Sequence, residues 1–461
     1  MTGAILGLAA LDGLLFLSGL GVLRGAGLVH SLRDGLRLSG LAFVLGWAFV
    51  GILGSLALMV GLAFDGAQVV LACLVLGAAG AVAGRRVRPA PPPAAGSGWS
   101  GSPWLAVAGV AALLVVAVAL LRRALVAPGA TAWDSWAFWL PKARSLVLFD
   151  GIDTATGGFT SFAHPAYPPL VPAMEAAAFR FSGTLDASGP LLVQHWLFAV
   201  AFLAALGGLF AGRVSPPVLW PSLALIALMP YFGRLVGSSL GDEPLFLVVG
   251  LAGACAALWL LERDPRYAAL CAGLLGAAAL AKGEGLMLSI LLGFAVLCAT
   301  LVQRPFAWRV PAVIVGSPIA VSLAWRGWLA THDLPGWEDY RPTDLLRPGY
   351  LADRLDRLGT AVVDLPAYVL EPDRWLLAVP LALAAAVLAA RRAPGLTALV
   401  LSFVAVGFVG IATIYWISPL PLAWYIDTSA ERVVGSLVFF CASVFPLLLA
   451  AALGPEKDGA V

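Results

Sequence analysis

Long apolar stretches recur along the whole chain, and short joints that carry charges or Pro and Gly separate them. A helix needs about 20 apolar residues to cross about 30 Å of hydrocarbon, and it satisfies its own backbone hydrogen bonds there. Hydrophobic residues make up 61% of the 461 and charged residues only 12%, a composition that excludes a soluble globular domain. The sequence therefore predicts an all-α, polytopic transmembrane helical bundle.

The apolar stretches predict about thirteen membrane spans. A late segment between two spans alternates charge with leucine, which is typical of short amphipathic helices that lie on a membrane surface. The predicted spans lie at residues 4–23, 38–63, 67–84, 103–121, 190–211, 216–232, 244–261, 267–281, 285–302, 310–327, 375–390, 394–416 and 433–453.

The order of these spans divides the chain into three parts. Residues 1–88 are expected to form an N-terminal three-helix membrane module, and residues 89–102 a Pro- and Gly-rich cytoplasmic linker. Residues 103–461 form the main transmembrane module. Its two external loops are expected at residues 122–189 and 328–374.

Basic residues in the joints set the expected orientation. Three arginines lie within residues 24–37, and three more lie within residues 85–88. Lys and Arg are enriched on the cytoplasmic side of membrane proteins, most strongly in short joints. We therefore expect a protein of the plasma (inner) membrane with its N-terminus outside and its C-terminus in the cytoplasm. Alternation of the spans then delivers both long loops to the non-cytoplasmic face.

The stretch 131–172 concentrates side chains that can carry chemistry at the head of the first long loop. Asp134 lies between Trp133 and Trp136, Lys142 follows about two helical turns later, and Tyr167 opens a Tyr-Pro-Pro turn. Aromatic rings can hold a sugar or a polyprenyl chain, and cations can hold a phosphate. This combination predicts chemistry at the boundary between lipid and water.

Further charged residues lie at predicted helix ends on the same face. They are Asp242, Glu243, Lys282, Glu284 and Arg432. A charge at a membrane edge is costly unless it is paired or faces water, so its presence there indicates a functional site. Each of these residues taken singly also fits an interfacial anchor. The arrival of several at one face favours a shared site.

Several side chains have a structural interpretation beside the functional one. Trp133 and Trp136 could stack on sugar rings, or they could belong to the aromatic belt at the membrane interface. His164 could orient a substrate, ligate a metal or satisfy a loop, and a metal is the weakest of these because no second histidine lies at ligand spacing. His195 lies on an apolar helix and is interpreted as a satisfied core residue.

Four short motifs resemble the membrane glycosyltransferases of the GT-C superfamily. They are WDSWAFWLPKA, HPAYPPLVP, LGDEPLFLVVG and AALAKGEGLMLSILL, which follow one another between residues 130 and 300. The nearest likeness is to the bacterial branch related to protein O-mannosyltransferases and aminoarabinose transferases. The chain departs from the commoner pattern in two ways: it has three extra helices ahead of the catalytic module, and Asp134-Ser135-Trp136 stands in place of Asp-x-acid.

The resemblance implies that a sugar passes from a polyprenyl-phosphate-linked donor to an acceptor on the non-cytoplasmic face, with inversion. Asp134 would act as general base on a hydroxyl of the acceptor, which is a glycan, a lipid or a protein. The residues that the resemblance assigns to the donor phosphate are Lys142, Lys282 and Arg432. The residues assigned to substrate binding are Trp133, Trp136, His164, Tyr167, Asp242, Glu243 and Glu284.

No cofactor is indicated by the sequence. The five cysteines all lie in apolar stretches and never in a CxxC pair, so neither a disulfide framework nor a zinc site is expected. A divalent metal is compatible with such chemistry but is not indicated. The expected partners are the lipid-linked donor, the acceptor and the bilayer, and no nucleic acid is expected.

Two other classes of protein explain part of the same pattern. A transporter or lipid flippase also places charges in a helical bundle, although it should carry them deep within helices and at broken spans. A non-catalytic scaffold explains the helices but not the order of acid, Trp and Lys. The loop 328–374 could cover the site, dock an acceptor or rest on anionic headgroups through a basic face. The arginines of that face are Arg341, Arg347, Arg354 and Arg357.

Overall fold

The computed structural model describes residues 2–89, 101–130, 132–152, 158–186, 189–303, 306–336 and 341–454. Every regular element within these residues is a helix, and none is a β-strand. The prediction of an all-α bundle is therefore confirmed. Most of the expected linker 89–102 lies outside the described residues.

The α-helices are numbered in chain order. The first half of the chain contains α1 (Thr2–Gly25), α2 (Leu32–Arg37), α3 (Ser39–Met59), α4 (Gly66–Gly84), α5 (Pro103–Val126), α6 (Leu140–Phe149), α7 (Leu170–Ser182), α8 (Gly189–Phe210), α9 (Pro216–Leu228) and α10 (Pro230–Val236). The second half contains α11 (Asp242–Glu262), α12 (Pro265–Ala281), α13 (Gly283–Val302), α14 (Arg309–Thr331), α15 (Pro348–Ala352), α16 (Leu355–Leu370), α17 (Pro372–Trp375), α18 (Ala378–Ala389), α19 (Pro394–Ile417) and α20 (Leu422–Leu453).

The prediction of about thirteen spans is wrong. Ten helices of the described chain are long and apolar enough to cross a membrane, or eleven if α9 and α10, which meet at a 64° bend, form one span. The other two expected spans, α12 and α18, have only 17 and 12 residues. At 1.5 Å per residue they are about 25 Å and 18 Å long, short of the roughly 30 Å that a bilayer core requires.

The expected joint before the last span is also helical. The last span was expected to begin at residue 433, whereas α20 runs without a break from Leu422 to Leu453. Residues 422–433 contain no Pro or Gly that would end a helix. Arg432 therefore projects from a continuous helix rather than from a loop.

Helix α11 lies at the centre of the bundle. All of its residues from Asp242 to Leu260 are buried, and it packs against α12 and α20. A Cβ atom added at Gly250 would lie 2.5 Å from the Ser443 hydroxyl, and one at Gly253 would lie 2.4 Å from the Phe440 ring. Small residues of this kind let two helices approach closely inside a membrane.

The three N-terminal spans α1, α3 and α4 pack on one another and on the helices that follow. A Cβ atom added at Gly80 would lie 1.9 Å from the carbonyl oxygen of Gly21, so the contact of α1 with α4 requires glycine. Helix α3 also packs against α8 and α12, and α1 packs against α7. Residues of all these helices belong to one continuous hydrophobic core.

Short helices occupy both long segments, although the sequence predicted them only for residues 328–374. Helices α6 and α7 lie between α5 and α8, and α15 to α17 lie between α14 and α18. Helix α16 is amphipathic, since Ala361, Leu365 and Val369 are buried while Asp356 and Thr360 are exposed. The fold is thus a polytopic helical bundle with short helices in its long loops.

Candidate functional site

Asp134 lies at the start of a π-helical turn, Ser135–Trp139, which leads into α6. The Ser135 hydroxyl donates a hydrogen bond to the carbonyl oxygen of Ser238, in the joint before α11. The Trp139 ring packs on Gly241 in the same joint, where an added Cβ atom would lie 2.5 Å from the ring. These contacts hold the head of the loop against the first turn of α11.

A row of ion pairs begins at Asp134 and crosses the end of the bundle. Arg432 of α20 donates to the Asp134 carboxylate, and its guanidinium also lies 3.8 Å from Asp242 Oδ2. Lys282 Nζ lies 2.8 Å from Asp242 Oδ1 and 3.2 Å from Glu284 Oε1. Acids and bases alternate along this ion-pair row, Asp134–Arg432–Asp242–Lys282–Glu284.

The geometry of α11 to α13 explains why three of these residues meet. Helix α11 begins at Asp242, α12 packs against α11 and returns to end at Ala281, and α13 begins at Gly283. Lys282 is the single residue between α12 and α13, in an extended conformation. A tight turn between two antiparallel helices therefore delivers its ammonium group to the first turn of α11.

The residues of the ion-pair row differ in solvent exposure, and some of their polar atoms have no hydrogen-bond partner. Asp242 is 1% exposed and Lys282 4%, whereas the side chains of Asp134 and Arg432 are 18% and 24% exposed. Asp242 Oδ2, Glu284 Oε2 and Arg432 Nε are buried without a hydrogen-bond partner. Buried polar atoms are nearly always paired, and these three atoms retain the capacity to hydrogen-bond to a group that enters the site.

Lys142 lies inside the first loop and is fully buried. Its ammonium donates to the carbonyl oxygen of His164 and lies 4.9 Å from the centre of the Phe159 ring. His164 has a φ of 57° and stacks on Tyr167 with 4.6 Å between ring centres. The structure therefore places Lys142, His164 and Tyr167 together in the packing that shapes the turn before α7.

Trp133 and Trp136 flank Asp134 and remain open. Each ring is 57% exposed, and their centres lie 5.9 Å apart in an edge-to-face arrangement. The two indoles are available to a sugar ring or to lipid.

Glu243 does not face the ion-pair row, although it is the neighbour of Asp242. Its Oε2 lies 2.7 Å from His195 Nδ1, and His195 Nε2 lies 3.6 Å from Glu175 Oε1. Burial raises the pKa of Glu175, and His195 beside it acts in the opposite direction. Sequence reasoning missed Glu175 and treated His195 as an ordinary core residue. A lone acid within the apolar segment LVPAMEAAAF was the available signal.

An apolar groove opens beside the ion-pair row. The groove has a volume of about 280 Å³ and lies between α13 and α19. Pro342 and Leu345 contribute to its lining from the second long loop. Met287 lines both this groove and a smaller cavity at Asp242, Lys282 and Glu284, so the groove lies next to the charged groups.

In the part of the chain that the structure describes, no group of three or more His, Cys, Asp and Glu side chains is arranged to hold a metal ion. The five cysteines are unpaired thiols. The chemistry that the described site offers is that of carboxylates, one Lys, one Arg and aromatic rings.

Comparison with known proteins gives no relative. No protein-family model matches the chain, and no curated protein or solved structure matches it either. The class rests on the fold alone, which defines an integral, multi-pass membrane protein.

Proposed function

We propose that the chain is a membrane glycosyltransferase that moves a sugar from a polyprenyl-phosphate-linked donor to an acceptor hydroxyl. The observation that carries this proposal is the ion-pair row, which begins at an accessible carboxylate and ends beside an apolar groove. A lipid-linked sugar needs both features in one place, because it joins a charged phosphate to a long hydrocarbon chain. The site is proposed to face the non-cytoplasmic side of the plasma (inner) membrane.

The donor phosphate would bind to Arg432 and Lys282. Arg432 has five N–H donors in a planar fork that suits phosphate, and its Nε is unpaired in this structure. The polyprenyl chain would lie in the groove between α13 and α19, whose lining is apolar apart from Thr413. The sugar would then project toward Asp134 and the two exposed indoles.

In the proposed reaction, Asp134 accepts the proton of the acceptor hydroxyl. The hydroxyl oxygen forms the new bond to the anomeric carbon, and the bond from that carbon to the phosphate oxygen breaks on the opposite face. The leaving polyprenyl phosphate keeps the electron pair, and Arg432 and Lys282 stabilise its negative charge. Inversion at the anomeric carbon follows from this single displacement.

The test is the substitution Asp134→Asn, with Asp150→Asn as the matched control. Asp150 lies in the same loop, is exposed and pairs with Arg180 instead of with the ion-pair row. Purified protein would receive a panel of radiolabelled polyprenyl-phosphate sugars, and release of label from the lipid would be measured. Removing a general base costs about 10²- to 10⁴-fold in rate. Full activity in Asp134→Asn would reject the proposed base.

One observation favours a transporter or lipid flippase. Helices α9 and α10 meet at a 64° bend, and broken spans are typical of transporters. Movement of a solute or lipid across proteoliposomes, without any glycosyl product, would support this second candidate. A reporter inserted at residues 122–130 tests the orientation, since the glycosyltransferase proposal places it outside the cytoplasm.

A further inference from the structure

A buried carboxylate–imidazole–carboxylate cluster adjoins the ion-pair row, because its Glu243 follows Asp242 in the chain. His195 of α8 stands between Glu243 of α11, at 2.7 Å, and Glu175 of α7, at 3.6 Å. Glu175 is 4% exposed and Glu243 is fully buried. The transfer reaction proposed above uses none of these three side chains, so their burial requires another explanation.

The cluster connects two halves of the candidate site that come from different parts of the chain. The loop half comprises the described residues 132–152 and 158–169, which carry Asp134 and the turn that leads directly into α7. The helix-end half comprises Asp242, Lys282, Glu284 and Arg432. Glu175 belongs to α7, which follows the loop half, and Glu243 is the neighbour of Asp242 on α11, which carries part of the helix-end half. His195 therefore links α7 to α11.

The charges of the cluster make it costly to separate α7 from α11. Two buried carboxylates repel each other, and a protonated histidine between them attracts both and offsets one of the two negative charges. Removing one partner of a buried ion pair leaves an uncompensated charge and is strongly destabilising. Both oxygens of Glu175 lack a hydrogen-bond partner, and within the described residues His195, at 3.6 Å, is the one basic side chain within 4 Å of this carboxylate.

We propose that His195 is a positioning residue for the transfer reaction. By holding Glu175 and Glu243 together, it sets the spacing between the loop half and the helix-end half, and thereby the place of Asp134 relative to the bound donor. This inference rests on the proposed function for its kinetic consequence, but the coupling of α7 to α11 does not depend on that function. His195 touches neither substrate.

The two kinetic constants should respond differently to loss of the cluster. Lys282 and Arg432, which would hold the donor phosphate, both belong to the helix-end half, so the KM for the donor should change less than threefold. Asp134 belongs to the loop half, and a misplaced base slows the chemical step, so kcat should fall by about tenfold or more. A general loss of folded protein would not separate the two constants.

The experiment uses the full chain in detergent with three variants. Glu243→Gln and His195→Leu break the cluster, and His195→Gln keeps an amide that can donate to one carboxylate. The matched control is Glu262→Gln, which breaks the Arg213–Glu262 pair (2.8 Å) at the other end of α11, about 28 Å away at 1.5 Å per residue. Hydrogen exchange by mass spectrometry would follow residues 132–149 and 238–246, alongside kcat, KM and thermal stability.

The expected result is faster exchange in both segments and a lower kcat in Glu243→Gln and His195→Leu. His195→Gln should recover part of kcat, and the Glu262→Gln control should leave exchange and kcat unchanged. Unchanged exchange in both segments, or equal effects in the control, would overturn the inference. If the wild-type chain releases no sugar from any donor and the exchange result still holds, the proposed function fails while the coupling of α7 to α11 stands.

Discussion

The pairing of Lys282 with Asp242 can be tested by a double-mutant cycle that needs no assumption about activity. Lys282→Met removes the only cation between Asp242 and Glu284 in the described ion-pair row and leaves a buried and a partly buried carboxylate facing each other. Asp242→Asn removes one acid, after which Lys282 retains Glu284 and Arg432 retains Asp134. We therefore expect the lysine substitution to be the more damaging of the two.

The distances set the size of the effect. At an effective dielectric constant of about 20, Coulomb's law gives about 6 kcal/mol for the 2.8 Å pair and about 5 kcal/mol for the 3.2 Å pair. Desolvation offsets much of this attraction, and removal of one partner of a buried pair costs about 3–5 kcal/mol. We expect about 3 kcal/mol for Asp242→Asn and about 5 kcal/mol for Lys282→Met. The double variant should cost no more than Lys282→Met alone, which leaves a coupling of about 3 kcal/mol.

The measurement is the free energy of unfolding in detergent, followed by tryptophan fluorescence and far-UV circular dichroism. The control cycle uses Arg347→Met and Asp344→Asn, whose pair is 3.1 Å long but has a largely exposed arginine. Because water screens the exposed arginine of this pair, its coupling should be below about 1 kcal/mol. A double variant at Lys282 and Asp242 whose cost equals the sum of the two single costs would refute the reasoning.

Two further predictions concern the groove and the loop after α1. Thr413→Trp fills the groove between α13 and α19. The KM should therefore rise about tenfold for a long polyprenyl-phosphate donor but little for a donor with a short chain. An equal rise for both donors would contradict the proposed groove. Ser31→Ala removes the N-cap of α2 and should lower the free energy of unfolding by about 1 kcal/mol near pH 7. The Ser31 hydroxyl also donates to the Asp34 carboxylate and lowers its pKa below 3.8. The part of the contribution that comes from this bond is present above pH 3.8 and is lost as the pH falls through the pKa of the folded state, whereas the bond from the Asp34 amide to the Ser31 oxygen remains. An acid titration of both proteins would check this.

Local sequence patterns were sufficient for the helical fold and for most element positions. Apolar stretches and their breaks at Pro, Gly and charge predicted the all-α bundle, because each helix makes its backbone hydrogen bonds within its own segment. The same patterns overstated the span count, since α12 and α18 are apolar but shorter than the ten candidate spans. They also placed Arg432 in a joint, although α20 is continuous there.

For the candidate site, the sequence predicted the residues but not all of their contacts. Asp242, Lys282, Glu284 and Arg432 were singled out at predicted helix ends and Asp134 at the head of the first long loop, and the structure joins them in one row. Their roles in catalysis stay predictions. The sequence did not show which side chain pairs with Asp134 or with Asp242, because a charge at a membrane edge looks the same whether lipid headgroups, water or another side chain compensates it.

A chain with 61% hydrophobic residues in long stretches belongs in a bilayer whatever its tertiary structure, since hydrophobic burial and backbone hydrogen bonding act segment by segment. Side-chain contacts between segments that are far apart in the chain are determined differently. Asp134 and Arg432 are 298 residues apart in the chain, and Glu175 meets Glu243 through His195 only because α7, α8 and α11 pack together. These contacts depend on how whole helices pack against one another, and no local pattern of residues encodes that arrangement.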